Sequence, residues 1–100
     1  MEIYRVIITP LAQEDIISIA KYLCGFSIEI ALRYYDLIDE AITSLETMPY
    51  RCSLVQSEKL RKKGYRWLSV RNYTVFFRIT KKVVRVERIL HSLQEYDAIL

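Results

Sequence analysis

The sequence is poor in the residues that break chains and build cofactor sites. Its 100 residues include two glycines, two prolines, two cysteines, one histidine and one tryptophan. Cys24 and Cys52 stand apart, with no CxxC pair, so there is no disulfide framework; indifferent or buried thiols in a reducing cytoplasm are expected. One histidine and two scattered cysteines make a zinc site a poor expectation. No glycine-rich phosphate loop, nucleophile elbow, HExxH or carboxylate pair is present, which sets aside conventional nucleotide-dependent and metal-dependent enzymes. No cofactor and no metal are therefore expected. No apolar run approaches the roughly 18 residues that a membrane-spanning helix needs. The opening MEIYRVIITP has neither the basic nor the long apolar region of a signal peptide, and the cytoplasm is the expected location.

With 52% hydrophobic and 27% charged residues, the chain is neither disordered nor low in complexity. One domain over residues 1–100, with a single core, fits this length. The net charge of +3 hides a contrast. Residues 1–50 carry three basic and eight acidic residues, whereas residues 51–100 carry twelve basic and four acidic. The acidic half has helical periodicity and the basic half strand periodicity. Such asymmetry points to a polyanionic target or an acidic protein partner.

Ile3–Thr9 is a short, β-branched run and predicts a strand. Thr9-Pro10 predicts a helix start, because threonine caps and proline fits the first helical position. Ala12, Ile16, Ile19, Ala20 and Leu23 then recur at near-helical spacing. Glu14 and Asp15 favour the positive end of the dipole, and Gly25 is a plausible stop. Ser27 predicts a second cap. The stripe Ala31, Leu32, Tyr35, Ile38, Ile42 and Leu45 predicts a buried helix face, with Pro49 ending the helix. The two helices are expected to form an antiparallel hairpin. Arg51–Lys63 has no clean period and reads as loop. Tyr65–Val70, Tyr73–Thr80 and Val83–Leu90 predict three strands joined by short turns, hence antiparallel neighbours. The tail SLQEYDAIL predicts a short helix capped by Ser92. The fold class is α+β: an N-terminal strand, an antiparallel helical hairpin, a three-stranded antiparallel meander in one twisted sheet, and a short C-terminal helix.

The densest basic cluster is Lys59, Arg61, Lys62, Lys63 and Arg66, with Arg71, Arg78, Arg85 and Arg88 spread along the strands. By strict alternation Arg78 shares a face with Thr74 and Phe76, and Arg88 with Val84, Val86 and Leu90. A sheet covered by helices on one side sends some of these cations to the other, among aromatics, an arrangement that phosphate backbones favour. The plain alternative is solvated cations that protect a loop and an edge strand. His91 is the residue whose ordinary pKa lies nearest neutrality. It could act as a general acid or base, although a lone histidine more often has a structural part. Tyr96 could stack, donate a proton or simply pack. The eight tyrosines suggest amphipathic surface for a partner, though most also fit a core edge.

Four stretches, taken in order, carry a family resemblance: YRVIITPLAQEDIISIAKYL, IALRYYDLIDEAITSLETMP, GYRWLSVRNYTVFFRI and VVRVERILHSLQEYDAIL. Together they resemble the RelE/ParE superfamily, the toxins of bacterial type II toxin–antitoxin pairs. The resemblance implies the β-αα-βββ order reached above. It also implies a cognate antitoxin, expected as an acidic segment that folds onto the helical hairpin and the sheet edge.

The superfamily divides by mechanism. The RelE branch cleaves mRNA on the ribosome with a basic and aromatic patch, and the resemblance implies basic residues in the strand matching Tyr65–Val70 and just after the last strand. Here Tyr96 fits the branch and Lys59-Leu60-Arg61 resembles its loop, but the first position falls near Leu68 or Ser69, and Ser92, Leu93 and Gln94 follow His91, so the patch is incomplete. If this were a ribonuclease, Arg61 and Arg66 would hold phosphates, Arg88 would stabilise charge, and His91 with Tyr96 would move protons. The ParE branch poisons DNA gyrase and is not itself enzymatic. The long paired helices and the missing cations favour ParE, a growth inhibitor in plasmid stabilisation. Its expected target-binding residues are Lys59, Arg61, Lys62, Lys63, Arg66, Arg78 and Arg88. A passive nucleic-acid-binding adaptor is the remaining reading.

Overall fold

The computed structural model describes residues 2–100. Strand β1 (Arg5–Ile8) leads into α1 (Pro10–Cys24) and α2 (Ile28–Ser44). A 3-10 turn (Pro49–Arg51) and a short helix α3 (Glu58–Lys62) precede β2 (Arg66–Val70), β3 (Tyr73–Thr80) and β4 (Val83–His91), and α4 (Tyr96–Ile99) closes the chain. The sheet order is β1-β4-β3-β2. β2, β3 and β4 form the antiparallel meander, and β1 adds to β4 in parallel, so the sheet is mixed. No helix among the described residues is long and apolar enough to cross a membrane.

The caps act as their residue types suggest. The Thr9 side chain accepts from the Ala12 N–H at 3.1 Å, and Ser27 accepts from the Ile30 N–H at 3.3 Å. Gly25 ends α1 with φ −63, so left-handed freedom is not what it supplies. A Cβ there would lie 3.2 Å from the Tyr22 carbonyl, and close approach explains the glycine. α2 stops at Ser44, before Pro49. The Arg51 guanidinium folds back onto its last turn, donating to the Ser44, Thr47 and Met48 carbonyls. That places a cation on the negative end of the helix dipole.

The expected stripe of α2 is corrected in part. Ala31, Ile38, Ile42 and Leu45 are buried, but Leu32 and Tyr35 are exposed at 61% and 51%. Tyr34, Leu37 and Ala41 pack against the core in their stead. The core-facing stripe is rotated because α2 is shared between the sheet and α1, which presents Ile16 and Ile19 to the same core. On the sheet side this core contains Val70, Tyr73, Val75, Phe77, Val84, Val86 and Ile89.

The segment expected as loop, residues 51–63, has structure. Leu54 bridges Arg66, the Trp67 N–H donates to the Ser53 carbonyl at 3.2 Å, and the Val55 N–H donates to the Tyr65 carbonyl at 3.0 Å. The segment thus satisfies the otherwise open edge of β2. Val55 and Leu60 then join Phe76 and Leu90 in a second apolar cluster, with Tyr65, Tyr96 and Leu100 packed against it. The face of the sheet expected to lie open is therefore partly covered, by α3 and the tail. The tail helix begins at Tyr96 with Glu95 at its N-cap position, not at Ser92.

One irregularity organises the chain's longest strand. Phe76 pairs with Arg88 and Phe77 with Val86, leaving Glu87 as a bulge in β4. The bulge breaks the alternation assumed from sequence. Ile89, not Arg88 or Leu90, joins Val84 and Val86 under the helices, while Leu90 turns to the second cluster. Helix α1 grips the bulge from both sides. The Thr9 hydroxyl donates to the Glu87 carbonyl at 3.1 Å. Asp15 accepts from Arg88 Nε and Nη2 at 2.8 and 2.9 Å, and from the Ile89 N–H at 2.9 Å. Replacing Asp15 by Ala would leave a largely buried guanidinium and a backbone donor unpaired. Asp15→Ala is expected to lower the unfolding free energy by about 2–4 kcal/mol, and Asp15→Asn by less, since an amide oxygen can still serve Ile89. Chemical denaturation of the two variants measures this, and equal losses would contradict it.

Candidate target-binding surface

Five residues are too few for α3 to be stable alone. Leu60, with no solvent exposure, anchors it to the second cluster. Glu58 sits in its first turn and Lys59, Arg61 and Lys62 in its last, each on the favourable end of the dipole. Gly64 follows at φ 86, a conformation that only glycine enters without strain. With Leu60 turned inward, Lys59, Arg61, Lys62 and Lys63 are exposed. Lys62 meets Glu58 at 3.3 Å, but both side chains are more than 70% exposed, and such a pair contributes little. These four cations form the charged ridge that the sequence suggests.

The arginines on the strands are more constrained. Arg66 Nη1 donates to the Cys52 carbonyl at 2.6 Å, and its guanidinium lies 5.0 Å from the Tyr50 ring centre. Arg78 lies over Tyr65 at 5.2 Å and pairs with Glu87 at 3.3 Å, an oxygen that Arg85 shares at 3.4 Å. Arg88 belongs to Asp15, whose hydrogen bond is the first cause of its raised pKa. Of the seven expected target-binding residues, the structure groups Lys59, Arg61, Lys62 and Lys63, places Arg66 and Arg78 against aromatic rings, and holds Arg88 in the fold.

His91 and Tyr96 both border a cleft of about 210 Å³ on the far face of the sheet, while the His91 ring lies with Tyr73 and also borders a groove on the hairpin side, with Tyr22 and Tyr34. Trp67, Phe76 and Tyr96 supply aromatic walls, and Gln56, Thr74, Ser92 and Gln94 supply polar groups. Tyr96 stacks on Phe76 with centres 5.1 Å apart. His91 Nδ1 accepts from the Leu93 N–H at 3.1 Å, and its ring meets Tyr73 edge-on at 5.4 Å. Burial, and then the neighbouring Tyr34 and Tyr22, push the Tyr73 hydroxyl above its ordinary pKa. None of Arg61, Arg66 and Arg88 lines this cleft, nor does any other charged side chain among the described residues. Sequence reasoning missed Trp67 and Phe76 as its walls. Their cross-strand pairing was the signal, available once β2 and β3 were put in register.

A profile of the ParE toxin of type II toxin-antitoxin systems, parDE, matches residues 6–96. The chain belongs to the ParE toxin family. Among solved structures, the fold resembles the chromosomal ParDE toxin–antitoxin system of P. aeruginosa, with TM-score 0.73 and 23% identity over 89% of this chain and 96% of that one. It also resembles the RelBE2 toxin–antitoxin complex of Mycobacterium tuberculosis, with TM-score 0.62 and 20% identity over 89% of this chain and 98% of that one. A search of curated proteins finds no match. The ParE assignment agrees with the incomplete basic patch read from the sequence.

The two thiols of this ParE-family chain should differ sharply. Cys24 is exposed and Cys52 buried. Burial pushes the Cys52 thiol up, and the nearby Arg51 and Arg66 only partly offset it. A Cys52→Ser protein, which keeps Cys24, is expected to react with a thiol reagent at pH 8 roughly tenfold or more faster than Cys24→Ser. Denaturant should abolish the difference, and similar native rates would contradict the burial.

Proposed function

We propose that this ParE-family toxin inhibits growth by binding DNA gyrase through the cationic ridge of α3, with Arg66 and Arg78 beside it, and that a cognate antitoxin neutralises it. Arg88 acts here as a structural residue. The observation that carries the reading is the neutrality of the cleft around His91 and Tyr96. Ribonucleolytic chemistry there would need cations to hold the phosphate and to stabilise its developing charge. The cleft is lined by none. Leu68, near the position where the ribonuclease branch is expected to carry a basic residue, packs against the main core, and a charge there would be costly.

The antitoxin expected from sequence was an acidic segment on the hairpin and the sheet edge. The hairpin argues for a different division of contacts. With Asp15 paired to Arg88, Glu14, Glu29, Asp36, Asp39 and Glu40 remain on α1 and α2 against Lys21 and Arg33, so an acidic segment would be repelled there. Ile17, Tyr22, Phe26, Ile28 and Leu32 are exposed on and between the same helices. An antitoxin with an apolar stretch over the hairpin and acidic residues facing α3 fits both surfaces.

The test combines purified protein with gyrase and supercoiled plasmid, where linear cleaved DNA is expected to accumulate. The variant Lys59→Ala/Arg61→Ala/Lys62→Ala/Lys63→Ala, checked for folding by circular dichroism, is expected to lose roughly tenfold or more in potency. Codon-dependent mRNA cuts in a translation extract, with gyrase unaffected, would overturn the proposal in favour of a ribonuclease. Absence of growth arrest on expression would favour the adaptor.

A further inference from the structure

The geometry points to the far-face cleft as a receptor for a single unpaired nucleobase, held by stacking and amide contacts and left uncut. Three features support this. The walls are aromatic, and Trp67 remains 42% exposed although it is the largest apolar side chain in the protein. Flat aromatic walls accept any base through its π-face. The polar groups at the cleft are uncharged. Thr74 and Ser92 pair through their hydroxyls at 3.2 Å. Gln94 Oε1 accepts the His91 N–H at 2.8 Å, which orients that amide and leaves its NH₂ to donate. Gln56 is exposed at the same cleft and offers both a donor and an acceptor. Amides of this kind match the donor and acceptor edges of a base.

The size and the surroundings narrow the occupant. A cavity of about 210 Å³ is smaller than the roughly 300–1,000 Å³ of drug-sized sites. It has room for one ring system, and no cation inside it to draw in a phosphate. The first charge beyond Gln56 is Glu58, which pairs with Lys62, and Glu95 and Asp97 flank Tyr96; the exposed cations follow along α3. Gln56 is followed after one residue by α3, with Lys59, Arg61, Lys62 and Lys63 exposed. A strand whose base enters the cleft can therefore lay its phosphates along α3. That adjacency favours a nucleic acid strand over the aromatic side chain of a protein. Cleavage is not implied, because Nδ1 of His91 is occupied by the Leu93 N–H and no cation faces the base. The inference rests on the cleft and not on gyrase as the target, so the two can fail separately.

The intact protein carries its own reporter, since Trp67 is its one tryptophan. Hexamers of thymidylate and of uridylate are titrated against Trp67 fluorescence, alongside an abasic hexamer of equal charge. Saturable quenching by the base-bearing hexamers is expected, with affinity about five- to 150-fold above the abasic one, the range for one stacked base. Gln56→Ala, at an exposed position, is expected to weaken the base-bearing hexamers and leave the abasic one unchanged. Either sugar supports the proposal, and the tighter one identifies the source strand. Equal affinity for the abasic hexamer would overturn it, reducing the interaction to phosphates on α3. Saturable binding of N-acetylphenylalaninamide without any by free nucleosides would overturn it in favour of a protein side chain.

Discussion

The carboxylate of Asp15 does three things at one point of the fold. β1 accompanies β4 only as far as Val86, after which the chain leaves the sheet to become α1. The edge of β4 beyond that point has a backbone donor without a strand to receive it. Asp15 takes that place, accepting from the Ile89 N–H and from Arg88 in a bidentate pair. Thr9, at the same end of the helix, holds the Glu87 carbonyl while capping α1. A bulge left to itself could slip in register, and a slip of one residue would exchange the two faces of β4. With the bulge pinned, Ile89 goes to the main core and Leu90 to the far cluster. The cleft depends on this, because His91, Ser92 and Tyr96 follow directly from where β4 ends.

The same contacts explain why many arginines of a strongly basic half-chain are held in the fold. Arg51 closes the end of α2, Arg66 ties the 3-10 turn to β2, Arg78 and Arg85 share Glu87, and Arg88 belongs to Asp15. Guanidinium suits these places because it is planar and donates in fixed directions. Lysine, a mobile point charge, dominates the surface that remains at α3. Summed charge was thus a poor guide to where unpaired cations gather. The division between fork-like donors and solvated ammonium groups is the better one.

The elements were legible where one local rule decided them. Thr9-Pro10 and Ser27 predicted helix starts that the hydrogen bonds match, and the alternation from Tyr73 to Thr80 predicted β3 to the residue. What failed depended on partners distant in sequence. Nothing local to Asp15 distinguishes a dipole-complementing carboxylate from one that reaches β4, 73 residues away. Residues 51–63 lack a period because single residues, Leu60 above all, anchor them to the sheet. The outward turn of Leu32 and Tyr35 follows from how α1 and α2 share the core, which the spacing within α2 alone cannot reveal.

The neutrality of the cleft is a property of side chains and not of the fold. A ribonuclease built on this scaffold would need cations at its rim, and the positions after β4 are open to them. Ser92, Leu93 and Gln94 are all exposed, Leu93 at 87%, so lysine or arginine there would meet water and cost little stability. Ser69 on β2 is exposed as well. Stability therefore does not oppose cations at these positions. Leu68 is different, since it packs against the main core. One scaffold can thus carry either chemistry, and the choice falls on a few exposed positions around an aromatic cleft. In this chain those positions hold hydroxyl, amide and apolar groups.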